Sequence, residues 1–148
     1  MSENQLRELI KRKLHRYNNL RWEAQQIAEQ IEQLRATAEA PRTQAMDGLP
    51  RSSGSGDAMA GIVAELVELQ EKYMAKLRKL NAAMAEVEDM IDSLDTLERR
   101  LMRCRYIEGM VWEEVCVELN YSWSQTHRIH GQILDKLVAA ELEKEVAE

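Results

Sequence analysis

The sequence predicts an all-α fold: a long antiparallel helical hairpin of coiled-coil type, followed by a C-terminal helix-turn-helix. Three observations predict it. Apolar residues recur four and three positions apart over two long stretches, and two short helical patterns lie back to back beyond residue 102. The composition is that of helices: Phe is absent, Gly (6) and Pro (2) are scarce among 148 residues, and only 5% are aromatic.

The first helix starts after Ser2, whose hydroxyl forms a capping box with the carboxamide of Gln5 three residues on. Its seam is Leu6, Ile10, Lys13, Tyr17, Leu20, Ala24, Ile27, Ile31, Leu34 and Ala38, a period of three and a half. Lys13 is the one polar break, with Leu14 beside it. At roughly 1.5 Å per residue such a helix reaches on the order of 50 Å, so another element must cover its stripe. Pro41 ends the helix, and a linker at about 41–57, rich in Gly, Ser and Pro, leads to Asp57 as a candidate cap.

The second seam runs through Ile62, Leu66, Leu69, Tyr73, Lys76, Leu80, Ala83, Val87, Met90, Leu94, Leu97 and Leu101. No strong breaker interrupts it before about Arg105, and Gly109 then releases the chain. The two seams pair either within one chain, as a hairpin, or between chains in a homodimer. Leu14, Leu77, Met84 and Ile91 sit off the main seam and suit a third or fourth helix. Met59, Met74, Met84, Met90 and Met102 fall at helical spacing and read as core filler. The domain division that follows is 1–101 for the hairpin with its linker and 102–148 for the helix-turn-helix, which ends in the acids Glu141, Glu143, Glu145 and Glu148.

Composition limits the function. No run of eighteen apolar residues is present and the first residues are polar, so no membrane partner is expected and the chain is read as cytoplasmic. Cys104 and Cys116 lie outside any paired metal spacing and are read as reduced packing residues. His127 and His130 stand three apart without a third ligand at suitable spacing, so no metal site is expected. No nucleophile assembles with a base and no cofactor motif occurs, so neither catalysis nor a cofactor is expected. The net charge of −6 argues against a nonspecific nucleic-acid coat. Its distribution is uneven, however: Ser122 to Leu134 carries Arg128, His127 and His130 and no acid, and Arg7, Lys11, Arg12, Lys13 and Arg16 gather in the first helix. That basic cluster either touches phosphate or solvates a helix.

Trp112, Val115, Cys116 and Leu119 form one short helical pattern; Ile129, Ile133, Leu134 and Leu137 form the next. Between them Asn120-Tyr121-Ser122 supplies a left-handed helix end and a cap. Glu113 and Glu114 open the first helix, where the macrodipole favours acids, and Cys116 is small enough for a helix crossing. On the second helix the candidate DNA-binding residues are Ser122, Trp123, Ser124, Gln125, Thr126, Arg128 and Gln132, on turns that the apolar stripe leaves free. Gln and Arg suit bidentate contact with adenine and guanine edges. Trp112 reads as core; for Trp123 a groove contact and a packing role stand equal.

These residues resemble region 4 of the bacterial sigma-70 factors. The matching positions are Tyr106, Gly109, Glu113-Glu114, Cys116, the Asn120 turn and Ser122 to His130, with Val111 where the family often has a capping Thr. With the hairpin and the Arg51 to Asp57 loop included, the chain is similar to small phage-encoded proteins of this type, grouped with late-transcription regulators. The resemblance implies a phage or prophage regulator that binds double-stranded promoter DNA and acts with host RNA polymerase. Two alternatives stay open: a DNA-packaging recognition subunit of small-terminase type, and a polymerase- or sigma-binding inhibitor acting through protein contacts.

Overall fold

The computed structural model describes residues 1–40 and 54–147, and every regular element among them is helical. Five α-helices follow one another: α1 (Glu3–Glu39), α2 (Gly54–Ile91), α3 (Thr96–Met102), α4 (Trp112–Leu119) and α5 (Trp123–Ala147), with a π-helical turn at Arg103–Ile107 between α3 and α4. None of these helices is long and apolar enough to cross a membrane.

The start of α1 follows the capping box read from its sequence: the Gln5 amide donates to Ser2 Oγ (3.2 Å) and the Ser2 amide to Gln5 Oε1 (2.9 Å). It ends at Glu39, ahead of Pro41, which lies with linker residues 41–53 outside the described residues. α2 already begins at Gly54, so Asp57 is an acid in its first turn and not its cap.

The expectation of one helix running to Arg105 is overturned. α2 stops at Ile91, and the Leu94 amide closes a turn on the Ile91 carbonyl. Asp95 then caps α3: its carboxylate accepts from the Glu98 amide (2.9 Å), and Glu98 Oε1 accepts from the Asp95 amide (3.3 Å). The second carboxylate oxygen of Glu98 accepts from Lys136 Nζ of α5 at 2.7 Å, so this buried acid is satisfied on both sides. That bond holds the Lys136 ammonium above its ordinary range. Asp95→Ala removes the cap and is expected to lower stability by about 1 kcal/mol in urea titrations.

Packing divides the described chain into two units, Met1–Leu20 with Leu80–Glu148, and Arg21–Lys79. In the first, α3 and α4 both pack on α5, and one cluster joins Leu6, Ile10 and Leu14 of α1, Val87 and Ile91 of α2, Leu101 and Met102 of α3, and Ile133, Leu134 and Leu137 of α5. Residues on both sides of the expected 101/102 division therefore share one core. Leu14 is fully buried, while Lys13, expected on the seam, stays half-exposed 3.3 Å from Glu86. Met102 is buried as expected, whereas Met74 is exposed. In the second unit Ala24 and Ile31 are buried and Lys76 donates to Glu23.

Candidate nucleic-acid interface

The joint between α4 and α5 is built by three residues. Asn120 is left-handed (φ 59°, ψ 43°), its amide donates to the Val117 carbonyl at 3.2 Å, and the Tyr121 amide donates to the Cys116 carbonyl at 3.1 Å. This pair of bonds is a Schellman turn, which satisfies the last carbonyls of α4 and fixes the exit direction. Ser122 then caps α5: its Oγ accepts from the Gln125 amide and Gln125 Oε1 accepts from the Ser122 amide, both at 3.2 Å. α4 itself has Val111 at its cap with no side-chain bond, and Glu113 and Glu114 in its first turn.

The buried face of α4 is Val115 and Leu119, not Cys116, which is half-buried. Upstream, the π turn has an extra residue per turn and brings Cys104, Tyr106 and Ile107 all inward. Gly109 (φ 72°) ends it; a Cβ there would also lie 3.4 Å from Asn18 Oδ1, so Gly serves both the conformation and the close approach.

The sequence-predicted readers separate on this frame. Ser124, Arg128 and Gln132 are exposed and four residues apart, so they share one face of α5, and Arg128 has no partner among the described residues. Ser122 is exposed but committed to the cap. Gln125 is exposed, with its carbonyl oxygen in the cap and only its amide nitrogen free to donate outward. Thr126 is not a reader: it is fully buried, seven residues before Ile133 on the apolar face, and its hydroxyl has no hydrogen-bond partner among the described residues. Trp123 keeps 52% of its surface exposed while its ring tilts against His127 with centroids 4.3 Å apart. No acid lies in the first turn of α5.

Behind this face runs a relay of rings that no local sequence pattern announces. Trp112 touches both His127 (4.4 Å) and His130 (4.7 Å), and the Arg105 guanidinium lies 4.8 Å over the Trp112 ring. His130 Nε2 hydrogen-bonds the Tyr106 hydroxyl at 2.7 Å, and Tyr106 meets His15 of α1 edge to face at 5.4 Å. Arg105 also donates to the Met110 carbonyl at 2.9 Å, and Asn18 Nδ2 donates to the Arg105 carbonyl at 3.4 Å. Trp112 is thus half-buried within a ring stack, and both His127 and His130 serve that stack.

Burial pushes the Tyr106 phenol up to about 12, so it stays protonated. Burial first, then the charges of His127, Arg105, Lys11 and Arg7, lowers His130 from the ordinary 6.5 to about 4. His15 is lowered too, by desolvation and then by Arg105 and Lys11. Each charge acting on these two rings is cationic.

Comparison with known proteins finds no matching family model, no matching curated protein and no matching solved structure.

Proposed function

We propose that the chain is a DNA-binding transcription regulator of phage type. In this reading α4, the Asn120 turn and α5 form a sigma region 4-like helix-turn-helix, and α1 and α2 form an antiparallel hairpin that supports it. The observation that carries it is the exposed face of the first turns of α5, from Ser124 to Gln132, which holds no acid before Asp135; Arg128 there has no partner among the described residues, and Ser124 and Gln132 stand one turn to either side. A rigid Schellman turn and a capped helix start hold such a face at a set angle, which major-groove entry requires. Arg128 suits a guanine edge and Gln132 an adenine edge.

The outer face of α4 supports action beside RNA polymerase. Val117 is 80% exposed there, among Glu113, Glu114 and Glu118, a surface suited to a basic partner with apolar contacts. The same face favours a second reading, an inhibitor that binds polymerase or sigma through protein contacts alone. On α2 the exposed Val63, Val67 and Met74 share one helical face and suit pairing with a second copy, which would present two α5 helices to DNA.

The test is binding of the purified chain to duplex tiles of its source genome near physiological salt, with and without RNA polymerase holoenzyme. A preferred tile is expected, and Arg128→Ala is expected to reduce that preference by about 1–3 kcal/mol with helicity retained. Absence of any preferred tile in both conditions overturns DNA reading, and polymerase binding without duplex preference moves the assignment to the inhibitor.

A further inference from the structure

The N-terminal stretch of α1 meets the exposed side of α5 through ion pairs that no sequence pattern specifies. Asp135 lies three residues beyond Gln132 and seven beyond Arg128, on their face of α5, and it takes the Arg7 guanidinium of α1 in an ion pair. From there the two helices run in opposite directions. The N-terminal amine of Met1 lies 4.0 Å from Glu145, Arg7 meets Asp135, and His15 reaches Tyr106, whose hydroxyl holds His130. Progress along α1 is therefore progress toward the reading end of α5.

Arg7, Lys11 and His15 are four residues apart and form one row of α1. Among the described residues Lys11 pairs with Glu8 of its own helix alone, at 3.5 Å and partly exposed, a contact that screening makes weak. Asp135 is engaged by Arg7 and Glu8 by Lys11, while Glu3, one turn before Arg7, lines the same hollow as Arg7 and Asp135. The Lys11 ammonium, held by a weak surface pair, thus brings an exchangeable cation to the edge of the reading face in a chain whose net charge is −6.

We propose that this α1 row, with Lys11 at its centre, is a second DNA contact that grips backbone phosphate beside the segment read by Arg128 and Gln132. The inference rests on the DNA-reading assignment above and deepens it. Phosphate contacts position a protein without reading sequence, and each one releases counterion. The row so compensates for a recognition helix in which Arg128 is the one arginine.

The experiment titrates the full chain with its preferred duplex and with a shuffled duplex between 50 and 200 mM salt. Lys11→Gln is expected to weaken both duplexes by the same factor and to flatten the salt slope by about 0.9, roughly a threefold smaller loss of affinity across that range. Arg7→Gln/Lys11→Gln is expected to flatten it further, while Arg128→Ala changes the ratio between duplexes. If wild type binds and Lys11→Gln, folded by circular dichroism, keeps its slope and both affinities, the α1 contact is overturned and DNA reading stands. If wild type binds neither duplex, both fall together.

Discussion

Leu14→Ala is expected to lower the free energy of unfolding by about 3–4 kcal/mol, while Lys13→Ala changes it by less than about 1 kcal/mol. Leu14 has no exposed surface and lies in the cluster that joins α1, α2, α3 and α5, so truncation leaves a cavity that four helices cannot close together. Lys13 keeps more than a third of its side chain in water, 3.3 Å from a Glu86 equally open to solvent. Urea titration of both variants measures the difference. Equal losses would mean that the two-helix seam, and not the multi-helix core, bears the load at this level of α1.

That contrast shows what the sequence could and could not tell. Over Ala24 and Ile31 the seam of period three and a half matches the buried positions. Nearer the start of α1 the chain's own later helices add to the core and broaden the buried face, so the pattern becomes Leu6, Ile10, Leu14, Tyr17 and displaces Lys13. The Leu14 and Ile91 positions off the seam did signal further helices; those helices are α3 and α5 of the same chain.

The break after Ile91 was hidden because Leu94, Leu97 and Leu101 continue the apolar period across it. Its local signal was present in Asp95-Thr96-Leu97-Glu98, a capping-box pattern in mid-stretch. The Asn120 turn was legible because left-handed Asn and capping Ser are local chemistry. Thr126 was misassigned for a related reason: a small polar side chain reads as surface, yet its spacing to Ile133 and Leu137 places it inside. The ring relay was not legible at all, since His15, Tyr106 and His130 meet only through tertiary packing.

The relay makes stability depend on pH in a definite direction. Folding lowers His130 from 6.5 to about 4, so as pH falls the unfolded chain takes up this proton first. The stabilisation is fully present above about 6.5, declines between there and 4, and is gone below. Arg7 and Lys11 on α1, Arg105 in the π turn and His127 on α5 surround the ring with like charge, and the Tyr106 hydroxyl occupies its Nε2. A proton there adds positive charge beside Arg7, Lys11 and Arg105 in a partly dry site. The full shift corresponds to about 3 kcal/mol, and partial solvent access to the ring reduces this to about 2 kcal/mol. Carboxylates titrate near the lower end of the same window, so His130→Gln, which cannot charge and keeps a hydrogen-bonding group toward Tyr106, serves as the reference. Between pH 7.5 and 4.5 wild type is expected to lose about 2 kcal/mol more than His130→Gln in urea titrations. Parallel curves would show that His130 protonates as readily in the folded chain as in the unfolded one, and that the relay holds α5 by packing without regard to charge.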